Sequence, residues 1–375
     1  MAAWVVVTYV APGEAAWGVA ARDSTNAQLQ MGRQVYQDAC LACHGPNGAG
    51  LPRSIVGFER PSSFPNFSDC RQSAPEYTRD WRATIANGGP ARGFSQIMPA
   101  FGDALTRAQI DAVIAFLRSL CTDRSWPPGE LNPPRAMLTE KAFPEDEAVL
   151  TSSVDANRTP GVANTFTYEW QFTPRNQLEV EVPVDIVRNN GAPAQSGLGD
   201  SVVGIKHVLF FSLDPNTATG SILSVQGEVS LPTGSKSRQL GTGQTALGAF
   251  VAYDLLLPAR SFLQIQAGGD IPRHMAEGAR SVYARMAVGS SFATGLGLGR
   301  LWSPMLEVVA NRDLQGGAVT DFDVIPQFEV TLSARQHVSA NLAYRIAVND
   351  TAQRSSEIML YVLWDWLDGG LLEGW

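Results

Sequence analysis

Long apolar runs are missing from this 375-residue chain. No stretch reaches the roughly 18 residues of a membrane-spanning helix, so the sequence predicts no transmembrane helix. Basic residues are few: lysine occurs only at Lys141, Lys206 and Lys236, and the net charge is −8 with a pI near 5.1. This acidic balance argues against nucleic acid as a partner. The sequence also lacks a nucleophile triad, a phosphate-binding loop and a zinc-ligand spacing.

Cysteine is scarce, and all four cysteines lie in the first third of the chain. Cys40, Cys43 and His44 form the run C-x-x-C-H, the attachment signature of c-type haem. Two thiols at this spacing add to the two vinyl groups of one haem, and the adjacent imidazole binds the iron. A C-x-x-C pair alone would also fit a redox disulfide or half of a zinc site. The single run predicts one covalent haem c and argues against a di-haem peroxidase or a multi-haem conduit.

A methionine follows that is suited to be the sixth ligand of the iron. Met98 lies about 54 residues after His44, and a thioether sulfur suits haem iron. Pro99 restricts the backbone after it, as expected of a rigid loop that presents a ligand. The alternative is a methionine that only fills the core. Three other methionines could compete for the iron: Met1, Met31 and Met137.

Residues 28–121 resemble a single-haem class I cytochrome c domain. The matching stretches are residues 32–36, the attachment run 40–45, residues 97–101, and residues 105–106 with the helix that follows. The resemblance implies a small all-α fold that carries one haem and transfers single electrons.

The family assigns roles to particular residues of this stretch. The resemblance implies that Cys40 and Cys43 carry the thioether bonds and that His44 and Met98 are the axial iron ligands. Two further roles, a carbonyl that orients the histidine and a hydrogen-bond donor to a haem propionate, have one candidate each: Pro52 and Trp81.

The residue pattern supports the two helices that this family packs across each other. A capping box begins at Thr106 and predicts a helix start. Residues 27–39 are predicted to form the other helix. Gly32 would allow close approach, with Tyr36 or Phe116 filling the contact. The apolar residues on one face of the later helix are Ile110, Val113, Ile114 and Leu117.

The other two cysteines are Cys70 and Cys121. Haem attachment of this kind takes place outside the cytosol, where disulfides persist. The sequence therefore favours a disulfide between them, and the alternative is two free buried thiols.

Composition divides the chain into four segments. Residues 1–21 read as a truncated secretory signal, because an apolar run and small residues occur without a basic residue before Arg22. The cytochrome domain spans 27–122. Residues 123–146 are a proline-rich linker, interpreted as a stiff extended connector. Residues 147–375 have a different texture.

In this last segment, apolar and polar residues alternate with the period of a β-strand. Strands of roughly 9–14 residues match tilted membrane-crossing strands better than the strands of soluble sheets. Twelve strands are predicted, and an even number is typical of bacterial outer-membrane barrels. Their centres lie near residues 151, 168, 182, 207, 226, 251, 266, 287, 306, 328, 343 and 361.

The predicted fold class is therefore multidomain: a small all-α cytochrome c domain followed by an antiparallel transmembrane β-barrel of about 12 strands. Short motifs at residues 196–200, 203–206 and 231–234 resemble the outer-membrane barrels of the phenol meta-pathway (MetA) family, a likeness that implies the fold but no activity on phenols. The alternative is a soluble β-sandwich or lipocalin-like barrel, whose apolar face would point inward.

An outward apolar face would leave charged side chains in the lumen. An acidic lumen would favour cations, or its charges would simply pair with the few basic groups. The acidic residues predicted to face inward are Glu169, Glu179, Glu181, Asp185, Glu228, Asp254, Asp270, Glu307, Asp323 and Glu329. The basic residues predicted to oppose them are Lys206, Arg285 and Arg345.

These patterns predict an electron carrier rather than an enzyme, since a haem enzyme would need an open or labile sixth position at Met98. The haem domain would face the periplasm beneath an outer-membrane barrel that anchors it. Expected partners are periplasmic redox proteins, outer-membrane lipid, and an extracellular electron donor or cation. The alternative function is a pore for a small solute or cation, with the haem domain serving redox sensing or docking.

Overall fold

The computed structural model describes residues 14–375 apart from residues 53, 56, 62, 157–160, 188–193, 215–216, 277, 294–297 and 352–353, and it describes side chains from residue 26 onward. The predicted fold class is confirmed: a small helical domain precedes a closed antiparallel barrel of twelve strands. Most of the predicted signal, residues 1–21, lies outside the described residues. Among the described helices, none has the length and apolar character needed to cross a membrane.

The described residues before the barrel form five α-helices: α1 Glu14–Ala39, α2 Leu41–His44, α3 Cys70–Ser73, α4 Thr78–Asn87 and α5 Arg107–Leu120. The helix predicted over residues 27–39 is the second half of α1. The predicted capping box is present. Thr106 Oγ1 accepts from the Gln109 N–H at 3.3 Å, and the Gln109 side chain accepts from the Thr106 N–H at 2.9 Å. These bonds fix where α5 begins.

Helix α1 crosses α5 at Gly32. A Cβ atom on Gly32 would lie 1.9 Å from the carbonyl oxygen of Ala112, so the crossing requires glycine. Tyr36 and Phe116 pack beside it with ring centroids 5.1 Å apart. The core around the crossing is apolar, and its buried residues are Val35, Tyr36, Phe67, Ile85, Ile110, Val113, Ile114 and Leu117.

A disulfide joins Cys70, at the start of α3, to Cys121, directly after α5. The pairing favoured from the sequence is therefore present, and the alternative of two free thiols is wrong. The bond links residues 51 positions apart, so it restricts the unfolded chain and stabilises the helical domain.

The rest of the chain forms fourteen described strands in one sheet: β1 Glu147–Asp155, β2 Val162–Thr173, β3 Asn176–Val187, β4 Gln195–Leu198, β5 Ser201–Asp214, β6 Thr219–Leu231, β7 Ala246–Leu257, β8 Ser261–Pro272, β9 Ser281–Ser290, β10 Phe292–Ala293, β11 Leu301–Asp313, β12 Asp321–Thr331, β13 Val338–Ala347 and β14 Glu357–Asp365. β4 and β10 are short additions to β3 and β11, and the other twelve form the barrel. Each predicted centre falls within one of these twelve. The barrel closes because β14 pairs antiparallel with β1.

Side chains on the barrel strands alternate between an exposed, largely apolar outer face and a buried inner face that carries many polar residues. On β2, Phe166, Tyr168 and Trp170 are exposed, whereas Thr167 and Glu169 between them are buried. A soluble barrel or sandwich would turn its apolar face inward, so this alternative does not fit. The predicted lumen acids that are fully buried are Glu169, Glu179, Asp254, Glu307, Asp323 and Glu329.

Residues 132–146, named here the lumen loop, lie inside the barrel. The Ala142 N–H donates to the Asp254 carboxylate at 2.8 Å, and the Leu138 N–H donates to Glu307 at 3.2 Å. Phe143 is buried among side chains of the barrel wall. The prediction of a stiff extended connector is therefore wrong for these residues, because wall carboxylates satisfy their backbone donors inside the lumen.

The lumen loop enters and leaves the barrel at the same end. It reaches deepest near Thr139, which bonds Glu307 in the middle of β11. It then returns to the start of β1, where the Glu145 N–H donates to Gln177 at 2.7 Å. The helical domain lies at this end, which also carries the end of β14 and the shorter turns, such as residues 174–175.

Several contacts hold the helical domain at this end of the barrel. Arg71 pairs with Asp146 of the lumen loop at 3.0 Å. A Cβ atom on Gly93 would lie 2.8 Å from the Cα atom of Gly374, so these two segments of the chain are in close contact. The helical domain therefore lies at one end of the barrel.

Candidate haem site

A cavity of about 570 Å³ lies in the helical domain and extends to the lumen loop. All four residues predicted to hold the haem, Cys40, Cys43, His44 and Met98, line it. Cys40 lies between α1 and α2, Cys43 and His44 lie in α2, and Met98 lies in a loop more than 50 residues later, so the fold brings together what the sequence separates. Trp81, the candidate propionate donor, lines the same cavity.

The attachment run forms a single helical turn. The Cys43 N–H donates to the Cys40 carbonyl at 3.1 Å, and the His44 N–H donates to the same oxygen at 2.9 Å. Gly45 ends the turn with a φ of 72°, a conformation that glycine adopts without strain. Tyr36 holds the turn from α1, since its hydroxyl donates to the Gly45 carbonyl at 2.6 Å.

The two thiols of the run are free rather than joined to each other. Burial, with the neighbouring Cys43 as the second cause, raises the pKa of the Cys40 thiol to about 11. The thiol is therefore protonated at neutral pH. Two free thiols beside one cavity are the donor set that thioether attachment requires.

The His44 imidazole faces the cavity between two aromatic rings. Its ring centroid lies 5.0 Å from that of Phe64 and 5.2 Å from that of Phe67. Burial lowers the pKa of His44 to about 4, so the ring is neutral and has a lone pair for a metal. Its Nδ1 atom is buried and has no hydrogen-bond partner among the described residues.

The role suggested for Pro52 is not borne out by the structure. Its carbonyl accepts from the Ile55 N–H at 2.9 Å, and no described hydrogen bond joins it to His44. The described hydrogen bond of this oxygen is therefore a local one, with Ile55.

Met98 is presented by a tight loop between α4 and α5. The Gly89 N–H donates to the Met98 carbonyl at 3.0 Å, and the Met98 N–H donates to the Ser95 carbonyl at 3.3 Å. A Cβ atom on Gly89 would lie 2.2 Å from the Ser95 oxygen, so the loop depends on glycine there. We name residues 88–98 the ligand loop.

The competing methionines lie elsewhere. Met31 is exposed on α1, and Met137 is buried in the lumen loop against barrel residues. Met1 lies outside the described residues. Met98 is the methionine that lines the cavity.

Several residues that shape the site had no clear signal in the sequence. Phe64 and Phe67 flank the imidazole, and the Arg118 guanidinium lies 4.3 Å from the ring centroid of Trp81. The irregular spacing of the aromatic residues does not predict these contacts. An arginine on a helix does not predict them either. Arg118 could have been noticed only as a polar residue late in a helix with an apolar face.

Charged groups in the lumen pair with the loop as well as with one another. Arg135 lies 2.9 Å from Glu147 and 3.0 Å from Glu169. Arg345, one of the predicted opposing bases, lies 2.7 Å from Asp323. Sequence reasoning missed Arg135, because it assigned residues 123–146 to a proline-rich connector and predicted no contact between this connector and the barrel wall.

The residues of the cavity fit a covalent haem. Its walls carry aromatic and aliphatic side chains beside two free thiols, and a neutral imidazole and a thioether are its candidate iron ligands. The buried Nδ1 of His44 is not engaged by another described group.

The helical domain is similar to a known family of cytochromes. Residues 27–117 match the family model described as cytochrome C oxidase, cbb3-type, subunit III. The match covers about a quarter of the chain and includes all four candidate haem residues. No curated protein matches the chain.

Solved structures similar to the chain include one outer membrane channel and two porins. The COG4313 outer membrane channel from Pseudomonas putida F1 is 13% identical, with 62% of this chain and 98% of that chain covered and a TM-score of 0.42. The NanC porin is 6% identical, with 58% and 98% covered and a TM-score of 0.41. The KdgM porin is 8% identical, with 59% and 99% covered and a TM-score of 0.37. Similarities this low bear on neither the ligand nor the function of the chain. What the findings establish is a cytochrome-type helical domain joined to a twelve-stranded barrel.

Proposed function

We propose that the chain is an electron carrier of the bacterial outer membrane, with one covalent haem c in the helical domain and the barrel as its anchor. One observation carries the proposal: the two thiols, the imidazole and the thioether predicted from the sequence line one cavity at the end of a barrel whose outer face is apolar.

In this proposal each of the four residues has one task. Cys40 and Cys43 would hold the haem through thioether bonds, and His44 and Met98 would bind its iron. The bound haem would supply one-electron transfer. Because two side chains would bind the iron, the arrangement supports a carrier rather than a haem enzyme.

The barrel surface supports the membrane assignment. Large apolar side chains such as Leu342, Leu360 and Val362 are exposed on β13 and β14. Exposing this much apolar surface to water is unfavourable, whereas its contact with lipid is favourable. Outer-membrane lipid is therefore the proposed surroundings of the strands.

The orientation follows from the two ends of the barrel. Outer-membrane barrels carry short turns on the periplasmic side and longer loops outside. The helical domain lies at the end with turns such as residues 174–175, and the opposite end carries longer loops such as residues 232–245. We therefore place the haem in the periplasm, where periplasmic redox proteins are the proposed partners. An extracellular electron donor or a cation is a further candidate partner.

The lumen loop supports an anchor over an open pore. Its residues bond wall groups on several strands, among them Asp254 on β7 and Glu307 on β11. A solute crossing the barrel would have to displace these bonds.

A haem-stained gel of outer-membrane fractions tests the proposal. The full chain is expressed in a host that matures c-type cytochromes, and samples are run with and without boiling. We expect a haem-positive band in the outer membrane whose migration shifts on boiling, because folded barrels migrate differently from unfolded ones. A haem-positive band confined to the soluble periplasm, or an outer-membrane band without haem, would contradict it.

A further inference from the structure

One side chain of the barrel reaches the ligand loop. Arg335 lies in the turn between β12 and β13, and its Nε donates to the Gly93 carbonyl at 3.0 Å. Its guanidinium also lies 4.8 Å from the ring centroid of Phe94. A charged donor that both bonds a carbonyl and covers an aromatic face holds the backbone between them.

The contact is buried and is made from both sides. Arg335 is 9% exposed and Arg92 of the helical domain is 2% exposed. The Arg92 guanidinium donates in return to the Arg335 carbonyl at 3.2 Å. Because the contact is buried, water cannot replace a hydrogen bond that is lost there. Losing such a bond therefore costs more free energy than losing one at the surface.

Arg335 is itself fixed by the end of the chain. Its Nη1 lies 3.1 Å from the Glu373 carboxylate, and its backbone N–H donates to the Gly374 carbonyl at 3.2 Å. The turn that carries it is closed by Ser333, whose hydroxyl lies 2.9 Å from His337 Nδ1. The guanidinium therefore acts from a rigid part of the barrel.

The held backbone belongs to the same small unit as Met98. The Phe94 N–H donates to the Gly89 carbonyl at 2.9 Å, and the Gly89 N–H donates to the Met98 carbonyl at 3.0 Å. A displacement at Gly93 or Phe94 is thus transmitted to the Met98 backbone through two hydrogen bonds.

We propose that Arg335 is a positioning residue for the sixth haem ligand: by clamping Gly93 and Phe94, the barrel holds the ligand loop so that the Met98 sulfur stays on the iron. The inference rests on the proposed function, since it takes Met98 to be the axial ligand. Its consequence is that the barrel tunes haem ligation as well as anchoring the domain.

The test uses the full chain, matured with haem, and compares Arg335→Ala with wild type. The readouts are the methionine–iron charge-transfer band of the oxidised protein, carbon monoxide binding by the reduced protein, and the reduction potential. We expect the band to weaken, the potential to fall, and the fraction of haem that binds carbon monoxide to rise about tenfold, the factor that corresponds to about 1.4 kcal/mol.

Two further variants separate positioning from general stability. Arg335→Lys keeps one donor for Gly93 but loses the planar contact with Phe94, so we expect a partial recovery of the band. Arg354→Ala removes a barrel arginine that pairs with Asp323 near the opposite end, and it is expected to leave all three readouts at wild-type values.

Each outcome has a distinct meaning. If wild type shows the band and Arg335→Ala keeps it unchanged, the positioning role is overturned while the proposed ligation stands. If wild type lacks the band, Met98 is not the ligand, and the ligation and the positioning role both fail. If Arg335→Ala does not fold as a barrel, Phe94→Leu carries the test from the other side of the contact, with the same expected loss and the same overturning result.

Discussion

The helical domain and the barrel differ in what they bury. In the helical domain the inside is apolar, with Val113 and Ile114 almost fully buried. In the barrel many polar residues, such as Glu169 and Gln264, are fully buried beside two apolar clusters, while large apolar residues such as Leu342 point outward. The two regions are built for different surroundings: the first excludes water from a core, and the second turns its apolar surface toward lipid. The lumen loop joins the regions and meets the barrel wall in both ways: its backbone donors bond wall carboxylates, and its Met137 and Phe143 pack against apolar wall residues.

The largest expected effect is the loss of haem from the helical domain while the barrel stays folded. Replacing Cys40 and Cys43 together with alanine removes both attachment points, so covalent haem is expected to disappear. The barrel shares no bond with these thiols, so its shift on boiling is expected to persist. Haem stain and heat-shifted migration on one gel measure both. Loss of the barrel shift would show that the regions do not fold independently.

The next effect concerns the buried charges of the lumen. Arg135→Ala leaves Glu147 and Glu169 without their guanidinium partner, and breaking a buried pair costs about 3–5 kcal/mol. We expect a barrel that unfolds at lower denaturant concentration and still carries haem. Arg107→Ala is the matched control, because its pair with Asp111 is exposed and is expected to change stability by less than about 0.5 kcal/mol. An equal loss of stability in the two variants would contradict the burial of the Arg135 ion pairs in the lumen.

The outer face is tested by placing a charge on it. Leu342 lies exposed near the middle of β13, and Leu342→Arg is expected to cost about 2–4 kcal/mol in lipid. Unfolding in lipid bilayers measures this cost. Leu314→Arg, in a loop beyond the strands, is the control that should change little. A harmless Leu342→Arg would argue that this face does not meet lipid.

The smallest effect is confined to the helical domain. Thr106→Ala removes the hydroxyl that caps α5, at a cost of about 1 kcal/mol. The midpoint temperature of thermal unfolding, followed by the haem absorption, should fall. The midpoint temperature of the barrel transition should not change. Thr106→Ser keeps the hydroxyl and is expected to behave as wild type. A shift in both transitions would indicate that the domains unfold as one unit.

Local patterns carried most of what could be predicted. The capping box at Thr106 and the period-two alternation each involve neighbours in sequence, and each was predicted correctly as local structure. The four candidate haem residues were also named from the sequence alone, and in the structure they line one cavity.

Contacts between distant segments could not be predicted in this way. Arg335 meets Gly93 across 242 positions, and no pattern near either residue indicates the contact. The lumen loop was assigned to a connector because prolines dominate its local composition, whereas its place depends on carboxylates far along the chain. The role suggested for Pro52 also depends on a contact between separate segments, and the described hydrogen bond of its carbonyl is with the Ile55 N–H rather than with His44.

The path of the lumen loop also bears on the order of assembly. Both ends of the loop lie at one mouth of the barrel, so the chain is not threaded through the ring that β1 and β14 close. An unthreaded loop can enter or leave after the ring has formed, without any strand pair being broken. Closure of the barrel and filling of its interior are thus topologically separate events.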